Sequence, residues 1–391
     1  MFNLTEDQIK ESNAVHTTRE IHQQPSVWTE MIDLFMEQQE KFRSFLQGIY
    51  EKHEHVRVIF SGAGTSAFIG DTVAPALNKQ NKQNVSFESI ATTDVVSNPT
   101  EYLHKGMPTI LVSFARSGNS PESVATVALG EEMIDHFYQV VITCNPEGEL
   151  AKNIEGDENS LLILTPERAN DKSLAMTSSF SSMILAAYAL FASDDFTEDV
   201  VRNVIASGEA FVEIVGDSID AVLEFDFDRV AYLGSGLLAE LSHEAALKML
   251  ELTDGQVVPT YESSLGFRHG PKSVLTDKSL VVLFMSQDEY TKKYDLDILR
   301  ELGQADTGMK IVVLTEEKTE EVAELADWTI EINQGEEKIA NDFYLALLYV
   351  IFAQALALKK SIQLGITPDN PSPDGAINRV VQGVTIYDYE K

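Results

Sequence analysis

The feature that most constrains this chain is an internal repeat. Residues 56–62 (VRVIFSG) form a short apolar run that stops at glycine, and residues 229–236 (RVAYLGSG) do the same 172 residues further on. The same offset lays Thr109–Val112 (TILV) on Val281–Phe284 (VVLF) and Val140–Thr143 (VVIT) on Val312–Thr315 (VVLT). Three strand-like runs in one order at one spacing describe two copies of a single unit. The runs are apolar throughout rather than alternating, as strands buried on both faces of a parallel sheet must be. Between them lie helical patterns such as SPESVATVALGEEMIDHF and TEEVAELAD. Each copy therefore reads as a doubly wound, three-layer α/β/α domain, so the expected fold class is α/β with two such domains in tandem.

Both copies end in a long apolar helix, at 178–192 and 342–360. Ahead of the first, residues 5–52 read as helices, with Ser26 expected to cap VWTEMIDLFMEQQEKF. After the second, ITPDNPSPDGAINR is too rich in Pro, Gly and Asn for a helix or a central strand. The expected division is an N-terminal helical extension (1–45), a first domain (46–195), a second domain (196–361) and a C-terminal tail over the site (362–391), with the boundary near the acidic stretch 193–199. No apolar run of about 18 residues suggests a membrane span, and the polar start MFNLTEDQIKES lacks a signal-peptide design. The single cysteine, Cys144, sits in the apolar run VVITCN and reads as a buried, inert thiol that fits a reducing cytoplasm. The 62 acidic against 29 basic residues, a net charge of −33, argue against nucleic acid or an anionic membrane as partner. An anionic substrate would need a local nest of amides, hydroxyls and cations.

Two places in the first copy offer one. Ser61–Ala67 (SGAGTSA) is a glycine turn between strand and helix, a pattern shared with dinucleotide folds, and Glu88 lies at a tolerable distance for a ribose-binding acid. The sharper signal is Ser113–Ser123 (SFARSGNSPES), where Ser117, Gly118, Asn119 and Ser120 form a turn rich in hydroxyls and unshielded amides. Pro121 and Glu122 suit the first turn of a helix behind it, and Arg116 adds a cation. At the same offset the second copy reads Met285–Tyr290 (MSQDEY), where Asp288 and Glu289 would repel a phosphate, so an anion pocket is expected in the first copy only. The second copy instead carries LSHEAALKMLE (241–251), with Glu244, Lys248 and Glu251 on one helix face flanked by apolar Ala245, Ala246, Leu247 and Leu250. A solvated, salt-bridged face would account for the three charges alone. The stretch that follows, Gly266–Pro271 (GFRHGP), sets His269 between glycines. A carboxylate, a lysine and a loop histidine are the parts that enolisation beside a carbonyl requires.

Taken together, the two glycine turns, the serine loop and the 244–271 stretch resemble the double sugar-isomerase (SIS) domain proteins across nearly the whole chain. They are similar to the isomerase half of glucosamine-6-phosphate synthase. Through SFARSGNSPES, SLAMTSSFSS and YESSLGFRHGPKS they look closer still to the tagatose-6-phosphate ketose/aldose isomerase group, also described as galactosamine-6-phosphate deaminase/isomerase. The resemblance implies that Ser66, Ser117 and Ser120 hold a sugar phosphate and that Thr177 lines the sugar pocket. It implies that Glu251 shuttles the proton, that His269 assists ring opening, and that Lys248 and Glu244 complete the polar stripe. It further implies a homo-oligomer, a dimer or tetramer, in which His269 reaches a neighbour's site. Two positions depart from the synthase pattern, Ala115 where the loop would begin with serine and Leu364 where a lysine would stand. No cofactor and no metal site is implied, since the eight histidines are scattered and His53 and His55 fall at an expected exposed helix end. A sugar-phosphate-sensing regulator would keep the serine loop without needing Glu251 or His269. A nicotinamide dehydrogenase would leave that loop without a role.

Overall fold

The computed structural model describes residues 1–80, 84–192, 196–333, 335, 337–379, 381 and 383–389, so the stretch expected to mark the domain boundary falls partly outside the described residues. Among the described residues, ten strands form two five-stranded, all-parallel sheets. The first contains β1 (Val56–Ser61), β2 (Val85–Ser89), β3 (Thr109–Ala115), β4 (Phe137–Thr143) and β5 (Ser160–Leu164), in the order β2-β1-β3-β4-β5. The second contains β6 (Arg229–Gly234), β7 (Val258–Ser263), β8 (Ser279–Phe284), β9 (Lys310–Thr315) and β10 (Trp328–Glu331), in the order β10-β9-β8-β6-β7. Counted from the first strand of each copy the order is the same, and it reverses between the first strand and the third. That reversal is the topological switch point where doubly wound sheets bind ligands.

The sequence repeat is thus a structural repeat, with one correction. Arg57 pairs with Thr109 in the first sheet and Arg229 with Ser279 in the second, so β3 and β8 correspond at an offset of 170, not 172. The following helices, Pro121–Met133 and Thr291–Gly303, keep that offset at both ends. The copies return to 172 by the next strand, where Ile110 and Leu280 pair with Tyr138 and Lys310. The second copy is two residues shorter between its first and third strands, a change a loop absorbs without disturbing the ladder.

Strand residues alternate between two cores. In the β1–β5 sheet, Ile59, Leu111 and Val141 pack with Val127 and Ile134 on the side of the Pro121–Met133 helix. Phe60, Phe87 and Phe114 face the other side, where Phe191 of the Ser178–Phe191 helix meets Phe60 and Phe87 edge-on. Rings of this size bury about 150–250 Å² each, worth roughly 4–6 kcal/mol of transfer free energy as an upper figure. The β6–β10 sheet repeats the scheme. Leu233, Val281 and Leu283 pack with Ile298 and Leu299, and Phe284 stacks on Tyr349 of the Asp342–Gln363 helix. By length and composition that helix could cross a bilayer, but 94% of its most apolar window is buried in the fold.

The chain divides into two compact units. One comprises Val27–Asp171, Ser178–Phe196 and Gly375–Lys391 and holds β1–β5; the other comprises Met1–Ser26, Lys172–Thr177 and Thr197–Asp374 and holds β6–β10. In the latter, Asp369 of the Pro-rich tail accepts the amides of His16 and Thr17 and the Thr17 hydroxyl, capping the Val15–His22 helix. Its backbone also bonds Asn13 and Leu174. Glu20 of the same helix binds the amides of Lys172 and Ser173 and the Ser173 hydroxyl, so the N-terminal helices anchor the 172–177 segment. The expected cap at Ser26 is not one. The helix starts at Gln24, and Ser26 Oγ donates to the Gln23 carbonyl from inside its first turn.

Candidate active site

In the β1–β5 unit both expected anion-binding turns stand at the switch point, one after β1 and one after β3. Gly64 holds φ at 57°, where a side chain is disfavoured, and so lets the Thr65–Lys79 helix begin at once behind the strand. Ser66 lies buried in the first turn of that helix. After β3, carbonyls are spent on the neighbouring 143–150 segment: Ala115 accepts from Thr143 Oγ1 and Cys144 N, Ser117 from Asn145 Nδ2, and Gly118 from Leu150 N. Anchoring the oxygens on that side fixes the planes of the loop, and Gly118, at φ 71°, makes the turn. Pro121 opens the helix as expected, while Ser120 stands at its cap position without a side-chain capping bond.

Arg116 is buried and donates from Nη2 to the carbonyl of Arg379, 3.1 Å away. Arg379 in turn binds the Asp171 carbonyl and Asn170 Oδ1. Asp171 caps the Ser178–Phe191 helix, taking the amides of Ser178 and Ser179 and the Ser179 hydroxyl. Sequence reasoning singled out neither Arg379 nor Asp171; a lone Asp seven residues ahead of a serine-rich helix start was the available signal for the latter. Glu88 is bound bidentately by Arg57, at 2.6 and 2.7 Å, which takes both oxygens that a ribose would need. Cys144 is buried, and burial pushes its thiol up to about 12.

In the β6–β10 unit the Leu237–Leu252 helix packs beside the Asp342–Gln363 helix and carries the charged stripe inward. Glu244 and Lys248 are fully buried, and Glu251 retains 21% side-chain exposure. Lys248 Nζ lies 3.4 Å from Glu244 Oε1 and 2.5 Å from Glu251 Oε2. A solvated face is therefore ruled out. The apolar flank expected around the stripe is incomplete, however: Leu247 is half-buried and Leu250 is 43% exposed, so the helix turns its outer edge to solvent. Burial works to lower the Lys248 pKa, but attraction to the Glu244 and Glu251 carboxylates outweighs it and the net direction is upward. The ammonium is a fixed positive charge, and breaking a buried pair of this kind costs about 3–5 kcal/mol.

His269 follows a short 3-10 turn (Gly266–Arg268), exposed, and its imidazole has no hydrogen-bond partner among the described residues. The loop around it is tied down on both sides. Glu301 accepts Arg268 Nε at 2.6 Å and also binds Lys272 Nζ, and these two cations hold its carboxyl below the usual range. Thr177 is fully buried in the 172–177 segment, directly before the Ser178–Phe191 helix. Leu364 caps the last helix, and the nearest lysine one turn earlier, Lys360, lies over the Phe227 ring, 4.4 Å from its centre. His53 and His55 lie in the connection between helix and β1, with His53 Nε2 2.9 Å from the Tyr138 hydroxyl. Residues expected to bind substrate thus sit in the β1–β5 unit, except Thr177 and Glu244, and those expected to transfer protons, Lys248, Glu251 and His269, sit in the β6–β10 unit.

The SIS domain model matches residues 52–193 and 225–360. A D-galactosamine-6-phosphate deaminase AgaS of Escherichia coli is 40% identical over 375 residues, covering 96% of each chain. Among solved structures, a tagatose-6-phosphate ketose/aldose isomerase from Escherichia coli shares 37% identity over 96% of this chain and 97% of its own, at a TM-score of 0.87. A solved chain from Clostridium novyi NT shares 40% identity over 100% and 99%, at a TM-score of 0.95.

Proposed function

The chain belongs to the SIS domain family, and on that premise we propose that it is a sugar-phosphate isomerase/deaminase converting galactosamine 6-phosphate and water into tagatose 6-phosphate and ammonia. The observation that carries this reading is the buried Glu244–Lys248–Glu251 chain of charges, of which Glu251 alone is partly open. Similar proteins named for the deaminase and for the ketose/aldose isomerase support the substrate class.

The phosphate is held by Ser66, Ser117 and Ser120, with Arg116 behind the loop, which supplies binding energy remote from the reacting carbons. Thr177 lines the sugar pocket. His269 moves a proton between the ring oxygen and O1, opening the ring. Glu251 removes the proton from C2, giving an enolamine with a C1–C2 double bond, and returns it to C1. C2 is then a ketimine; water adds there, ammonia leaves, and the ketose remains. Lys248, by fixing Oε2 of Glu251, orients the other carboxylate oxygen as the base, and Glu244 balances the buried ammonium. With a hydroxyl at C2 the same transfer is a plain aldose–ketose isomerisation.

A cytoplasmic location goes with this reading, since sugar phosphates are intracellular. So does a homodimer or homotetramer in which the exposed His269 imidazole serves a neighbouring chain's site. Co-assembled His269→Ala and Glu251→Gln chains should then recover part of the activity each lacks alone, and dead mixed oligomers would return the histidine to its own chain. The activity itself is tested by incubating the protein with galactosamine 6-phosphate and measuring ammonia and ketose. Ketose from galactose 6-phosphate without ammonia from the amino sugar would leave only isomerisation. Neither product would end the reading.

A further inference from the structure

The β6–β10 sheet has a switch point of its own, between β6 and β8, with the same glycine turn after its first strand. A buried carboxylate occupies it. Asp295, on the Thr291–Gly303 helix, is fully buried and accepts three hydrogen bonds. Ser235 Oγ, in the glycine turn after β6, donates to Oδ1 at 2.5 Å, and Ser264 Oγ, just beyond β7, donates to the same oxygen at 2.6 Å. The amide of Ser286, in the loop after β8, donates to Oδ2 at 2.9 Å. Two hydroxyls and a loop amide at the carboxyl ends of three strands form the donor set expected for a phosphate at this place in such a sheet.

The register of the repeat gives this arrangement a control. Ser264 corresponds at offset 172 to Thr92, and both bond the glycine carbonyl at the end of the first strand: Thr92 to Gly62 and Ser264 to Gly234. In the following segment the offset is 170, so Asp295 corresponds to Ala125 on the Pro121–Met133 helix. Where the second sheet places a carboxylate on its own donors, the first has a methyl group.

We infer that the switch-point crevice of the β6–β10 sheet is a small-oxyanion site that the chain fills with its own Asp295 side chain. The Asp295 carboxylate is the built-in ligand, and it keeps the duplicated crevice from capturing free phosphate or a second phosphorylated sugar where no chemistry follows. This assignment does not depend on the reaction proposed above.

The test is to empty the crevice and offer it an anion. Asp295→Ala removes the carboxylate and leaves the buried Ser286 amide and the half-buried Ser235 hydroxyl without their acceptor, while Ser264 Oγ keeps the Gly234 carbonyl, and it should lower Tm by roughly 4–12 °C. Formate, which matches the deleted group, should restore most of that loss in a saturable way, while chloride at equal ionic strength should not. Wild-type protein under the same titration sets the baseline for anions bound elsewhere. Asp295→Asn fills the crevice with a neutral amide; it should be destabilised and gain nothing from formate. If Asp295→Ala collects as insoluble protein, refolding it in formate against chloride asks the same question through recovered yield. Equal responses of Asp295→Ala and wild type to formate, or an equal response of Asp295→Asn, would overturn the assignment.

Discussion

The two sheets begin alike. Gly64 (φ 57°, ψ −131°) and Gly236 (φ 59°, ψ −132°) give the same turn after β1 and β6, and the helices behind them start at Thr65 and Leu237. From there they diverge in opposite directions. The positions of Glu244, Lys248 and Glu251 are Thr72, Ala76 and Lys79 in the first copy, which leaves that helix no buried charge chain. The serine loop of the first copy, Arg116–Ser120, corresponds to Ser286–Tyr290, where Asp288 replaces the turning Gly118 and caps the next helix through the amides of Tyr290 and Thr291. On the proposed reading, one copy offers the anion crevice and carries no base on its helix. The other acquired ionised groups in its helix and closed its crevice. Burying charges and binding an anion place conflicting demands on one small pocket, and duplication lets a chain meet each demand in a separate copy.

The sharpest way to break this comparison is at Glu251. Glu251→Gln keeps the shape and the Lys248 contact but cannot accept a proton, so kcat should fall about 10²–10⁴-fold with substrate binding retained. Steady-state rates alongside direct binding check it, and a variant keeping more than half the wild-type rate would take the base out of the second copy. The next largest effect should come from copying the plug into the open crevice. Ala125→Asp places a carboxylate where the first copy has a methyl, and KM for the sugar phosphate should rise by at least about 10-fold through loss of charge-assisted donors. An unchanged KM would mean the two crevices are not equivalent. The smallest effect separates the helices by acid response. Burial lowers the His243 pKa from 6.5 to about 4, whereas burial raises that of Asp71 at the matching position. Between pH 6.5 and 4 the unfolded chain takes up a proton that folded His243 refuses, so His243 costs stability as pH falls through that window. His243→Phe preserves the stack on Tyr261, now 3.9 Å between ring centres, and should flatten the decline in urea midpoint between pH 7 and 5. Parallel declines in variant and wild type would remove His243 as the cause.

Much of this was legible in the residues. The duplication, the strand runs, the serine loop and the 244–251 stripe each stand within a few consecutive positions, where local pattern is informative. What escaped was set by contacts distant in sequence. The two-residue shortening before β8 was invisible because apolar strands align almost as well at 172 as at 170. Asp288 and Glu289 looked like the reason the second copy rejects phosphate, but the carboxylate that fills its crevice is Asp295, a helix position with no local mark of burial. Nor could periodicity tell a buried ion chain from a solvated one, since the same i, i+4, i+7 spacing serves both; the apolar Asp342–Gln363 helix alongside decides it.

The bond from Thr17 to Asp369 spans 352 residues, and Lys359 reaches back to the Phe2 carbonyl across 357. At typical synthesis rates of about 5–20 residues per second, roughly 20–70 s separate the emergence of Thr17 from that of its helix-capping partner. During that interval the whole β1–β5 sheet leaves the ribosome, with all its strands between residues 56 and 164, and can assemble from contacts within itself. The Glu6–Glu11 helix is capped locally by Thr5 and Gln8, but the Val15–His22 helix must wait for Asp369. On the ribosome, then, the β1–β5 strands emerge before any β6–β10 strand, while each unit still waits for one late contact, Thr17 for Asp369 and Arg116 for Arg379.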